Sequence, residues 1–324
     1  MNPNEAKKPV VEVSRQPIKV SVILCAHNPR THHFAATLDG LRGQSFPLED
    51  WELLIIDNAS SPRLCEEWDI SWHPNGRIVV EEEIGLARAR RRGYLESGGR
   101  LIVHSDDDNI LSENYLAEAW RIYEEHPHIG CFGGQWVMKF DQEPSPEIKR
   151  RICDGRQFTQ AKWSNLPDDN RTMPFGAGMC IRSEVTKEYL RQVTADPRRL
   201  ILGRTGDRFI TGEDIDLNFI ATAMGLGTGR FPALSLVHLT PPERTSEEHL
   251  IRYAAGNAYS MVILHWLHFK KIHVSKQSAM GAVAYRMRVW LRMDSYARRM
   301  ELALVKARRD AIKDMSDWGW LKTD

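Results

Sequence analysis

The sequence predicts an α/β fold built on a doubly wound, mostly parallel sheet flanked by helices. Three observations carry this expectation. Continuous apolar runs at residues 19–25, 52–56 and 101–103 lack polar alternation, the pattern of strands buried on both faces. Stretches of helical spacing separate them, at 32–42 and 85–96. Each apolar run feeds into polar residues, as strand ends do where open α/β sheets bind ligands.

In chain order, residues 1–17 read as a flexible lead-in. The stretch up to Gln16 is polar, holds two prolines and lacks the apolar centre of a signal peptide. A strand at 19–25 and a helix at 32–42 follow. The second strand, 52–56, ends at Asp57-Asn58, and a third covers 77–80. Residues 85–96 are rich in helix formers, 101–103 form the fourth strand and 113–125 a helix. This alternation, through about residue 126, is what predicts the parallel sheet. Residues 129–138 resemble a strand broken at Gly133-Gly134. From 139 to 171 the pattern dissolves into Pro, Asp, Arg and Gln, read as a long loop with one short helix; loops of that length are often functional. Strand character returns at 178–182 and helix at 184–193. A further helix spans 213–224, opened by acids that suit its N-terminus, and a late strand covers 230–237. From Ser246 onward the chain reads as mostly helical. No internal repeat is visible.

The 324 residues allow one large domain or two smaller ones, and 42% hydrophobic content supports a sizeable core. A formal net charge of +1 does not argue for nucleic acid as a partner. The five cysteines (Cys25, Cys65, Cys131, Cys153 and Cys180) are scattered without a C-x-x-C pair, which fits a reducing cytoplasm. The longest apolar run of the C-terminal third, residues 261–267, is too short to span a bilayer.

The chemistry concentrates at strand ends. The run at 101–103 leads into Asp106, Asp107 and Asp108. Three adjacent carboxylates repel one another, and a divalent cation, Mg²⁺ or Mn²⁺, is the simplest way to make them tolerable beside a buried strand. The competing reading is a solvated turn that caps the helix starting near Ser112. Two polar turns, Ala26-His27-Asn28-Pro29-Arg30 and Asp57-Asn58-Ala59-Ser60, follow the first two strands. Asp57 could accept hydrogen bonds from a base or ribose, although such residues are also ordinary turn formers. The helix start from Gly85 to Gly93 carries Arg88, Arg90, Arg91 and Arg92, suited to phosphate or a base, or simply to solvent. Glu213-Asp214 sit at a loop-to-helix junction, where a carboxylate can act as a general base or only complement the helix dipole. Asp216, two residues on, points elsewhere and suits capping or salt bridging. Gly176, Ala177 and Gly178 form a small-residue turn that permits close approach of a substrate, and His238 follows the late strand as a structural or ligating imidazole.

In order and spacing these pieces resemble the family 2 glycosyltransferases of the GT-A fold, over about residues 18–250. Ala26 to Arg30 matches the family's first turn and Asp57 to Ser60 its second. Gly85 to Gly93 matches its Gly-x-x-x-Ala-Arg-Asn-x-Gly helix start, with Arg91 where Asn is usual. Asp106-Asp107-Asp108 matches the Asp-x-Asp signature, Gly176 to Arg182 the acceptor-side segment, and Glu213-Asp214 the pair with the catalytic base. The resemblance implies a Rossmann-like GT-A domain over residues 18–245, followed by a mostly helical region, 246–324. It also implies inverting, single-displacement transfer from a nucleotide diphosphate sugar to a carbohydrate or lipid-linked acceptor, in bacterial polysaccharide or other glycoconjugate synthesis. Asp108, with Asp106 and His238, would hold the metal. Ala26, Asn28, Asp57, Arg90, Asp106 and Asp107 would bind the nucleotide sugar. Asp214 would be the base, with Glu213, Gly176, Ala177 and Gly178 on the acceptor side.

Two other classes compete. A nucleotidyltransferase also pairs such a sheet with acidic metal ligands, but would want a glycine-rich basic loop where Ala26 to Arg30 has no glycine. A non-catalytic nucleotide-sugar binder would not need both acidic pairs. The segment 279–309 interleaves Arg and Lys with apolar residues. It reads either as helices packed on the catalytic domain or on another subunit, or as a basic surface for peripheral contact with the inner face of the membrane.

Overall fold

The structure, a computed structural model, describes residues 17–152, 157–205, 209–272 and 293–321. The expected lead-in lies outside these residues except for Pro17, as do Cys153 and residues 279–292 of the basic segment.

Where the sequence offers β-branched and leucine side chains without a polar face, it forms the sheet centre. Strands β1 (Val20–Ala26) and β2 (Trp51–Asp57) are buried along their whole length. With β3 (Gly76–Val80) and β4 (Leu101–Asp106) they make a parallel block ordered β3-β2-β1-β4. Helix α1 (Thr31–Arg42) covers one face, the single turn α2 (Leu64–Glu67) flanks it, and α3 (Leu86–Glu96) covers the other. Each large aliphatic side chain removed from water here contributes roughly 1.5–3 kcal/mol.

Two glycines set the placement of α3. Gly85, its N-cap, has φ 145°, a region that favours glycine. Gly93 faces β1 so closely that a Cβ there would lie 2.5 Å from Cγ2 of Ile23.

Beyond β4 the order continues β8-β6-β9-β5. Here β5 is Asn109–Leu111, β6 Ile129–Phe140, β8 Cys180–Arg182 and β9 Gly227–Thr240, while the short β7 (Lys162–Ser164) pairs with β9. The sheet is therefore mostly parallel, but β8 runs antiparallel to both neighbours and β5 antiparallel to β9. The alternation through residue 126 could not show this. Among its described residues the 141–179 connection contains only α5 (Pro146–Arg151) and β7, without the long crossover helix that a parallel return uses. The expected break at Gly133-Gly134 is a register shift inside one continuous strand.

Helix α4 (Tyr115–Glu125) joins α1 against one face of the sheet; α6 (Ser183–Ala195) and α7 (Glu213–Ala223) join α3 on the other. Helix α8 (Glu247–Phe269) and the last helix, Ser295–Asp317, pack behind α7 around Phe219, Ile263, Leu264, Ala311 and Met315, all buried. Among the described residues no helix is long and apolar enough to cross a membrane.

Candidate active site

Strand register builds the site. Ala26 lies opposite Asp57 and Cys25 opposite Asp106, so β1, β2 and β4 end along one edge. After Asp106 the chain turns tightly through Asp107 and Asp108 and returns as β5, whose Asn109 pairs with His238 of β9. A cavity of about 870 Å³ opens at this edge. Ala26, Arg90, Asp106, Asp107, Asp108, Gly176, Ala177, Glu213, Asp214 and His238 all line it, although they come from positions spread over more than half of the chain.

Asn28, Asp57 and Gly178 stand outside that lining. Asp57 is fully buried, and its two carboxylate oxygens accept the N–H groups of Ser60 and Leu64. Asn28 ties the first turn to the second: its N–H donates to the Ser60 hydroxyl and its side-chain oxygen accepts from the N–H of Ser61. The Gly178 carbonyl accepts the Tyr115 hydroxyl. All three shape the walls from behind. Asn58, the neighbour of Asp57, does line the cavity. Its side chain donates to the carbonyls of Glu81 and Glu83 and accepts from Gly85 N–H, which fastens the loop ahead of α3.

Arg90 is the central cation. It is buried, and its guanidinium donates at 2.7 Å to Glu213 and at 3.0 Å to Asp106. Burial opposes its charge, but Glu213 and Asp106 outweigh that and hold it firmly protonated. One side chain thus ties the end of β4 to the start of α7.

In the aspartate cluster Asp106 pairs with Arg90 and Asp108 with Arg244. Burial, followed by Asp108 and Asp106, pushes the Asp107 carboxyl up to about 7. Burial also raises Asp108, but His238 and Arg244 outweigh it and leave Asp108 below the usual carboxylate range. The Arg244 guanidinium donates to one Asp108 oxygen at 2.5 Å, Asn109 donates to the other at 2.8 Å, and His238 Nε2 lies 3.9 Å from that second oxygen. Carboxylates beside an imidazole are the ligand types of a divalent cation of the Mg²⁺ or Mn²⁺ kind, and here Asp106 and Asp108 are paired with Arg90 and Arg244. His238 is placed by register inside β9; it does not arrive on a loop after the strand, as the sequence suggested.

At the start of α7 the two acids differ. Glu213 is buried against Arg90, and burial, partly offset by Arg90 and reinforced by Asp214, raises its carboxyl to about 7. Asp214 borders the cavity, with one oxygen accepting Gly176 N–H and the other its neighbour's, Ile215 N–H. Asp216 points into the protein, where one oxygen meets Arg199 and His268, each at 2.6 Å.

Sequence reasoning missed several lining residues. Arg244 sits in a motif read for its His, and a lone Arg after Pro-Pro carries no signal. Trp136 and Phe175 meet at 5.1 Å with their rings tilted by 36°, and Arg230 lies over the Phe175 ring at 4.2 Å, an aromatic wall assembled from β6, the 165–179 loop and β9. Tyr253 and Asn257 reach the cavity from α8, one helical turn apart, a spacing indistinguishable from an ordinary helix face.

Residues 21–190 match the family model for glycosyl transferase family 2. The chain belongs to glycosyl transferase family 2. It is a glycosyltransferase of the GT-A fold, a family that works on nucleotide sugars. The family match contains the aspartate cluster, Arg90 and Gly176 to Gly178, whereas Glu213, Asp214 and His238 lie beyond it. No curated protein sequence matches the chain. Among solved structures, the mannosyltransferase PcManGT from Pyrobaculum calidifontis, in complex with GDP-Man and Mn²⁺, is similar at TM-score 0.56 and 18% identity, over 93% of this chain and 90% of its own. TarS from S. aureus is similar at TM-score 0.51 and 13% identity over 91% of this chain; the chain spans 55% of TarS. TarS 1-349 in complex with UDP-GlcNAc gives a TM-score of 0.50 at 12% identity, over 93% of this chain and 92% of its own. At such identities the likeness establishes a shared fold.

Proposed function

We propose that this family 2 enzyme transfers a sugar from a nucleotide diphosphate sugar to an acceptor hydroxyl in one inverting displacement, with Mn²⁺ or Mg²⁺ held by Asp108 and Asp106 and approached by His238. The observation that carries the reading is the Arg90 bridge, which joins the acidic strand end at Asp106 to the Glu213-Asp214 junction across one cavity. The Mn²⁺ and nucleotide sugars bound by the similar structures support it.

Each residue type suits its task. Ala26, His27 and Asn58 form the nucleoside end, where small and polar groups admit a flat base. A bound cation would neutralise the diphosphate leaving group as the sugar–phosphate bond breaks. Arg90, held by two carboxylates, keeps Asp106 and Glu213 in fixed positions on either side of the cavity. Asp214 takes the acceptor proton: two backbone N–H groups orient its carboxylate at the cavity wall. Gly176 and Ala177 leave room for the acceptor, and Trp136 and Phe175 offer the apolar faces on which sugar rings stack. We place the enzyme in the cytoplasm, in polysaccharide or other glycoconjugate synthesis, with a carbohydrate or lipid-linked acceptor.

A panel of nucleotide sugars assayed for nucleoside diphosphate release, with Mn²⁺ and with chelator, tests the reading. The expected outcome is release from one class of donor, abolished by chelator and by Asp108→Ala while circular dichroism is unchanged. Equal release by Asp108→Ala, with or without chelator, would refute the cation assignment.

A further inference from the structure

A second set of metal-ligating side chains lies away from the cavity. His32 and His33 occupy the first turn of α1, and Asp141 follows the end of β6. One ligand atom from each falls within 4.8 Å of the others. His33 Nε2 is 2.9 Å from one Asp141 oxygen, and His32 Nε2 is 3.5 Å from the other. A tetrahedral zinc ion with bonds near 2.0–2.1 Å needs donors about 3.4 Å apart; the His32 separation matches this, and the hydrogen-bonded His33 nitrogen would have to open by about 0.5 Å. The two histidine rings lie 4.3 Å apart by centroid at 65° to one another.

The donors differ in exposure in a useful way. The His33 side chain is almost wholly buried, which fixes its nitrogen, whereas that of His32 is 67% exposed and leaves an open side for ion entry and a water ligand. Neutral imidazole is the ligating form. We infer that His32, His33 and Asp141 form a binding site for a zinc-class transition ion, separate from the donor site. Two imidazoles and one carboxylate select Zn²⁺ or Co²⁺ over the harder Mg²⁺. The ion would clamp the start of α1 to the end of β6. That is a sensitive place: Asp141 N–H donates to Thr240, Arg30 before α1 pairs with Glu243, and Glu243 adjoins the Arg244 that holds Asp108.

The test uses the full-length, untagged chain after treatment with chelator. Zn²⁺ alone is titrated calorimetrically, and Co²⁺ is followed by its visible absorption. An Asp108→Asn background isolates the second site. One equivalent of Zn²⁺ is expected there, with the intense bands of tetrahedral cobalt, a raised melting temperature and no comparable response to Mg²⁺. His32→Gln, at an exposed position, and Asp141→Asn should each weaken Zn²⁺ binding by about tenfold or more. Zinc affinity unchanged in both variants, or zinc binding abolished by Asp108→Asn alone, would overturn the inference. So would a melting temperature insensitive to Zn²⁺ in the Asp108→Asn chain, which would leave only a hydrogen-bonded His–Asp cluster.

Discussion

At the scale of single residues, Asp214 and Glu213 divide the work of the carboxylate pair by environment. Asp214 faces the cavity and is oriented by backbone N–H groups, so Asp214→Asn preserves shape and removes basicity. Donor binding should be nearly unchanged by calorimetry, while the transfer rate falls by roughly two to four orders of magnitude. Parental transfer in this variant would reassign the base to Glu213. Glu213 itself makes a pH prediction. Its carboxyl is raised from 4.5 to about 7 in the folded chain, so its contribution to stability is complete below about 4.5 and is lost as pH rises through about 7. The ion pair with Arg90, by contrast, exists only when Glu213 is ionised. Melting curves at pH 5.5 and 8, roughly a unit either side of the shifted value, should therefore show a smaller pH dependence for Glu213→Gln than for the parent. Identical slopes would show that Glu213 titrates near its ordinary value.

At the scale of elements, the inner faces of α3 and α7 are tightly packed and paired, so changes in volume or charge there are costly. Gly93→Ala would push a methyl group to 2.5 Å from Ile23 Cγ2. Overpacking of this kind costs about 1–3 kcal/mol, which outweighs the gain of about 1 kcal/mol in helix propensity. A lowered denaturation midpoint with an unchanged slope is the expected result. Asp216 joins α7 to the turn carrying Arg199 and to His268 near the end of α8. Asp216→Asn leaves the buried Arg199 without its counter-charge. It should cost roughly 3–5 kcal/mol of stability, read in denaturant titrations, even though Asp216 lies outside the cavity lining.

At the scale of the molecule, the cavity is a junction of a parallel half, a mixed half in which β6 and β9 run parallel, and the helices behind them. Ligands that span it should stabilise the whole. At a hundredfold excess over its Kd, a nucleoside diphosphate with Mn²⁺ should add about 2.7 kcal/mol, visible as a raised melting temperature that chelator reverses. An unchanged melting temperature with nucleotide and Mn²⁺ would show that the proposed donor site does not bind them.

The sequence by itself determined the parallel half of the sheet, the helices on its faces and the clustering of acids at the end of β4. Apolar runs, helical periodicity and turn chemistry are local, and they were sufficient for each of these. It also singled out ten residues that converge on one cavity, because strand ends in such sheets share an edge. Tertiary structure alone decided which polar side chains face inward. Asp57 and Asn28 carry the same turn signal as Asn58, yet backbone N–H groups hold the Asp57 carboxylate and neighbouring turn groups hold Asn28, while Asn58 borders the cavity. Likewise β8 turns antiparallel, β9 carries His238 to Asn109 and Arg244 reaches Asp108, all through pairings between residues far apart in the chain. Such pairings depend on register and on the path of long connections, which leave no periodicity in the sequence for a local reading to detect.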